Sequence, residues 1–211
     1  MRKSVKAIDF RAFYVMERIM CDLLKKSALA YQALSAYAYI LICGRKGIQT
    51  RVEVRFPISA YHHLAGFQYT RLAALKEQKS ALNVVLSDKV TYSQLIASGF
   101  QHIDRLECII DLQKHLEANH FVFRYHGHEH PYSKIRADYL IQMEDIVFFI
   151  CGADPISIFK NNKTDYQRNC PQLTVLQIRR TNLETGEEVI TYQREGFTEA
   201  AESTEKCLRQ P

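Results

Sequence analysis

Near residue 121 the spacing of hydrophobic residues along this chain switches from three-to-four to two. Upstream, Ile8, Ala12, Val15, Ile19 and Leu23 recur at helical steps, and Phe13, Met16, Met20 and Leu24 widen the stripe. Arg11, Arg18, Asp22 and Lys25 fall opposite, so the spacing predicts an amphipathic helix over 5–31. Downstream, "FVFRY" and "IRADYLIQ" alternate. "IVFFIC" (146–151) is apolar throughout, as a strand covered on both faces must be. "LTVLQIRR" and "EEVITYQRE" flank "TNLETG", which carries turn chemistry. These segments predict an antiparallel meander of about five strands. Helices and strands are largely segregated, so the expected class is α+β, with the N-terminal helix and a helical insert packed on an antiparallel sheet.

Between the two regimes lies more detail. "YAYILIC" (37–43) and "RVEVRF" (51–56) read as a hairpin across "GRKGIQ". Pro57 ends the second strand, having no N–H for a ladder. Residues 70–118 return to helical spacing. There "TYSQ" (91–94) has the form of a capping box and Gly99 interrupts the pattern. We expect one domain over 1–194 and a polar tail over 195–211.

Of the 211 residues, 47% are hydrophobic and 24% charged, an ordinary globular balance. The formal charge is +5. The tail holds four glutamates against two basic residues, so the remainder is more basic than the whole, which permits a polyanionic partner. The six cysteines include no CxxC pair, and Cys43 and Cys151 sit in apolar runs as small buried hydrophobes. No apolar run approaches membrane-spanning length, and no apolar segment follows the basic start "MRKSVKAIDF". A cytoplasmic protein with free thiols, away from membranes, is expected.

Three constellations carry chemistry. The first is His62-His63 with Gly66, followed by Arg71, at what the pattern places as a strand end. Imidazoles there can serve as acid or base, or simply form a local turn. The second is "HFVFRYHGHEHPY", in which His126, His128 and His130 share a face if the chain is extended. That arrangement suits a borderline metal, whereas Gly127 and Pro131 favour a polar hairpin tip without metal. The third is "GADPISIFKNNKTDYQRN" (152–169), with Ser157, Lys160, Lys163, Tyr166 and Arg168 on an expected loop after the most buried strand. Such a loop offers cations for phosphate and a ring for stacking; it is also what a solvated connection looks like. The GxSxG, GxxxxGK[ST] and GxGxxG motifs are absent.

The segments His63-Leu64-Ala65-Gly66 and Pro155-Ile156-Ser157-Ile158-Phe159, in this order on these elements, resemble the fourth phage-associated group of the barnase–EndoU–colicin–RelE nuclease superfamily. The resemblance spans roughly residues 5–192, with Tyr166 and either Gln167 or Gln172 following the second motif. It implies a compact α+β fold and cofactor-free, metal-independent cleavage of RNA. On that basis His63 is the acid/base, with His62 as its neighbour. Arg71 and Lys160 hold phosphate, Ser157 positions, and Tyr166 and Arg168 contact substrate. An inhibitor or immunity protein is a possible partner. Two alternatives stand beside it: a nuclease-fold protein that binds RNA or a protein without cleaving, and a metal-binding protein using His126, His128 and His130.

Overall fold

The computed structural model describes residues 10–126, 134–161 and 163–198. Helix α1 (Phe10–Ser35) leads into the hairpin β1 (Tyr37–Arg45) and β2 (Ile48–Arg55). The hairpin turns on Lys46 and Gly47, at φ of 49° and 79°, left-handed residues that match the twist of the paired strands. The helical insert follows: α2 (Ala60–Leu64), 3₁₀ turns at Phe67–Tyr69 and Ala73–Leu75, α3 (Ala81–Leu86), α4 (Tyr92–Ala97) and α5 (Ile103–Glu117). The capping box forms as expected. Thr91 Oγ1 accepts from the Gln94 amide at 3.3 Å, and Gln94 Oε1 accepts from the Thr91 amide at 3.0 Å.

Six more strands complete the sheet: β3 (Phe121–Arg124), β4 (Tyr139–Met143), β5 (Ile146–Cys151), β6 (Asp154–Lys160), β7 (Gln172–Asn182) and β8 (Glu188–Gln193). The order is β2-β1-β7-β3-β4-β5-β6, with β8 also on β7, and every pairing is antiparallel. Thus β3 to β6 are a meander, but β7 crosses back to lie between β1 and β3. It pairs with β1 along most of its length. Its other edge serves β3 first and β8 afterwards. The expectation of a simple five-strand meander is corrected in this respect. The sheet also curls: β2 and β6 are its edges, yet the Arg55 amide donates to the Ala153 carbonyl, 2.8 Å away in the β5–β6 turn.

Burial follows the two faces. On one, Leu24, Ala28, Tyr31 and Leu34 of α1 and Leu106, Ile109 and Leu112 of α5 join Tyr39, Leu41, Val54, Phe56, Phe148 and Ile150 in a single core. Phe56 and Phe148 stack there, with centroids 6.2 Å apart and planes at 13°. On the other, Phe123, Leu140, Val147 and Phe149 are covered by Ile135, Ala137, Tyr166 and Cys170. Strand β5 sends alternate side chains into the two cores, which is why its sequence is apolar at every position and why it lies inside the sheet.

Several local expectations change. Residues 154–160, expected as loop, form β6. Pro155 is tolerated because β6 is an edge strand and a bulge adjoins it. Strand β4 begins only at Tyr139, so the expected strand start in "IRADYLIQ" is late. Cys43 is buried but Cys151, at the end of β5, is exposed; contact with Asp138 adds to desolvation in raising its thiol pKa. His128 and His130 lie outside the described residues. No described helix is long and apolar enough to cross a membrane.

Candidate functional site

The two histidines sit on a helical turn, not at a strand end. Strand β2 stops at Arg55, the chain turns through Pro57, and the Ala60 amide reaches back to the Pro57 carbonyl at 2.9 Å. Helix α2 is then anchored by its apolar side. Tyr61 is fully buried, its hydroxyl is 2.9 Å from Ser27 Oγ, and its ring lies 5.2 Å from that of Tyr31. Successive helical side chains diverge by about 100°. With Tyr61 and Leu64 facing the core, His62 is drawn in (4% exposed) and His63 is left outside. Their rings are 5.2 Å apart at 89°. The two rings diverge because successive side chains leave a helical turn in different directions.

His63 Nε2 lies 2.8 Å from the Gln78 amide nitrogen. An amide N–H only donates, so in this arrangement Nε2 is the acceptor. Its carbonyl accepts from Arg105 Nη1 at 3.4 Å. The Arg105 guanidinium lies 5.6 Å from the centroid of the Phe159 ring, over its face. One half-buried side chain from α5 therefore joins the "HHLAG" segment to the "PISIF" strand. Burial pulls the pKa of Arg105 down, against the opposing pull of Tyr69, Asp104 and Cys108. It forms no ion pair among the described residues. A partly desolvated guanidinium with no carboxylate in ion-pair contact among the described residues favours an incoming anion.

Gly66 completes the junction. It takes φ +81° directly after α2, and a Cβ there would meet His102 Cβ at 2.9 Å and Arg105 Cδ at 3.1 Å. His102 precedes α5, and its ring is 4.7 Å from that of Tyr69. Burial and then the Arg105 charge lower its pKa against the opposing pull of Asp104, a net shift that favours the neutral ring. Arg105, His102, Tyr69 and Gln78 were not singled out from the sequence. Arg105 sits in an amphipathic helix where a cation reads as part of the solvated face, and only the close approach at Gly66 reveals its role.

The other expected site residues distribute as follows. Lys160, at the end of β6, pairs with Glu107 at 2.7 Å, and that hydrogen bond raises its pKa. Ser157 is 9% exposed, opposite Phe149, and by strand alternation shares the Phe159 face. Tyr166 packs on Phe149 and Phe159, with centroids 5.4 and 5.9 Å away, and helps cover the second core. Arg168 is exposed on the turn after it. Arg71 is exposed between the two 3₁₀ turns, its amide donating to the Ser98 carbonyl at 3.2 Å. The fold thus gathers the His62–His63 turn, Phe159 and Lys160 around α5. No described contact ties Arg71 or Arg168 to His63.

His62 has a different character. Both ring nitrogens are buried without a hydrogen bond of good geometry, though the nearby Leu75 main chain favours the charged ring. Burial, reinforced by His63, outweighs this and lowers its pKa. A histidine with a depressed folded pKa contributes stability that is present above about pH 6.5, its unfolded value, and lost as pH falls through the folded value. His62→Leu replaces an unsatisfied buried polar group with an apolar one. It is expected to stabilise the fold by about 1 kcal/mol, a rise of a few degrees in thermal midpoint. It should also reduce the loss of midpoint between neutral and mildly acidic pH, leaving a residue from His102, which titrates in the same sense. Scanning calorimetry across that range checks both; a destabilised variant with wild-type pH dependence would refute the assignment.

An exposed imidazole, a second imidazole whose neutral form is favoured and a cation with no ion-pair partner among the described residues are ingredients for proton transfer at a phosphate ester. Among the described residues no group of three or more His, Cys, Asp or Glu is gathered to hold a metal ion. The family model for phage-Barnase-EndoU-ColicinE5/D-RelE like nuclease4 matches residues 23–205. Neither the curated proteins nor the solved structures include a match. The match runs from within α1 past the last strand and takes in both motifs and the α5 junction between them, so the chain belongs to the phage-Barnase-EndoU-ColicinE5/D-RelE like nuclease4 family.

Proposed function

We propose that this nuclease-family chain is an endoribonuclease that needs no metal, and that its reacting centre lies where α2, α5 and the end of β6 meet. The observation that carries this is Arg105, which lies against the His63 carbonyl and over Phe159 and has no ion-pair partner among the described residues. In the reaction a base removes the 2′-hydroxyl proton and that oxygen bonds to the adjacent phosphorus. The bond to the 5′-oxygen breaks, and an acid protonates the departing oxygen. The products are a 2′,3′-cyclic phosphate and a 5′-hydroxyl. His102, its neutral form favoured, suits the base; His63 is the acid, with Gln78 turning its carbonyl oxygen to a protonated ring. Arg105 carries the charge that builds on the phosphorane. Lys160 and Arg71 approach the neighbouring phosphates, Ser157 holds the strand that bears Phe159, and Arg168 touches substrate further out. Tyr166 acts mainly as support for Phe159.

The test is a mixed-sequence RNA incubated with purified protein in excess chelator. The expected result is cleavage leaving 2′,3′-cyclic phosphate ends, with a DNA of the same sequence untouched. Cleavage only on adding a divalent cation, or equal cleavage of DNA, would overturn the proposal.

A further inference from the structure

At the far end of β2 from α2 lies a groove of about 540 Å³, set between the tip of the β1–β2 hairpin and the chain after β8. Arg45, Lys46 and Arg194 line it, with Ile48, Leu176 and Phe197 as its apolar surfaces. Among the described residues no acidic side chain lines it and none of its three cations forms an ion pair. The larger cleft of about 770 Å³ near Tyr139 is different, since there Arg51 and Arg124 share the lining with Glu53 and Asp138.

The smaller groove is built and held. A Cβ on Gly44 would come within 2.8 Å of Leu176 Cδ1, so β1 and the Leu176 side chain meet with no gap. The Arg194 amide donates to the Leu176 carbonyl at 2.8 Å, and the Phe197 amide to the Arg194 carbonyl at 3.1 Å. Gln193 Nε2 donates to the Phe197 carbonyl at 3.0 Å, fixing the turn that carries the ring. Ile48 is 69% exposed. Three cations with no ion pair among the described residues, beside an aromatic ring and an open apolar face, match a phosphodiester backbone with its bases laid against protein. An acidic protein would use the charges and leave Phe197 and Ile48 idle.

We infer that this groove binds single-stranded RNA outside the reacting centre, with Arg45, Lys46 and Arg194 on phosphates and Phe197 under a base. Strand β2, eight residues long, runs from the groove to the turn before His63, roughly 24 Å end to end at strand rise, so the groove takes a part of the RNA well removed from the scissile bond. The inference extends the nuclease proposal to substrate recognition, but its test does not require cleavage.

The experiment measures, by fluorescence anisotropy, the binding of a 2′-O-methylated RNA of about 20 nucleotides between about 50 and 200 mM salt. The modified strand has no free 2′-hydroxyl and cannot be cut by the proposed route. The combined Arg45→Ala, Lys46→Ala, Arg194→Ala protein is expected to bind about tenfold or more weakly. Its slope of log affinity against log salt should be shallower by about 2, as the loss of three phosphate contacts requires. Phe197→Ala should weaken binding roughly fivefold or more with the slope unchanged. Failure of wild type to bind, identical binding by the triple variant, or equal competition by a poly-glutamate of the same charge would each overturn the inference. A wild type that binds but never cleaves would overturn the proposed reaction and leave the groove standing.

Discussion

His63→Ala is expected to lower RNA cleavage by about a hundred- to ten-thousandfold, the range an acid–base group commands, with almost no change in thermal midpoint. The separation of the two effects follows from the structure. The ring is exposed and makes one side-chain hydrogen bond, to Gln78. Such a bond contributes about 1 kcal/mol at most when its partners can turn to water. Gln78→Ala removes the same bond and keeps the imidazole, so it should retain most activity. Arg105→Lys keeps the charge but loses the planar fork that spans the His63 carbonyl and the Phe159 ring, so its rate should fall while its RNA affinity changes little. In the pH–rate profile of the wild type the alkaline limb should belong to the acid, and His63→Ala should remove it. Purified variants, a mixed RNA and chelator suffice. Wild-type rates in His63→Ala would sink the assignment and move attention to His102.

Much of the scaffold behind that prediction was legible in the sequence, for identifiable reasons. Strand β5 betrays itself because two cores compete for its side chains, and the Thr91–Gln94 box because capping is a contact between near neighbours. The β1–β2 hairpin is equally local. What was hidden depends on distant contacts. Helix α2 has five residues, fewer than two turns, so no periodicity can reveal it. Strand β6 carries a proline that only an edge position permits. The insertion of β7 between β1 and β3 is a matter of register across the sheet, which alternation leaves open. For the site, the "HHLAG" and "PISIF" segments were visible, whereas Arg105 was not. A cation on an amphipathic helix looks like solvent-facing charge until the fold lays it over Phe159.

Gly66→Ala should show how tightly that arrangement is made, with Gly99→Ala as its matched control. Both glycines follow a short helix and both sit at φ +81°, where an L side chain costs about 1–2 kcal/mol. Their surroundings differ. A Cβ on Gly99 meets nothing within 4 Å, while one on Gly66 meets His102 Cβ at 2.9 Å, His102 Cγ at 3.1 Å and Arg105 Cδ at 3.1 Å. The Arg105 methylene can swing aside. The His102 Cβ is fixed to the main chain at the start of α5, so the helix itself must move away from α2. Overpacking of this kind adds about 1–3 kcal/mol. Gly99→Ala is therefore expected to lose only the conformational share. Gly66→Ala should lie a further 2–12 °C lower in thermal midpoint, at about 2–4 °C per kcal/mol for a chain of this size. The displacement also pulls Arg105 and His102 away from His63, and about 1 Å of misplacement is enough to cost roughly a hundredfold in rate. Gly66→Ala should thus lose cleavage at temperatures where it is still fully folded by circular dichroism, and Gly99→Ala should not. If the two variants melt together and cut RNA equally well, the junction of α2 with α5 is not the reacting centre.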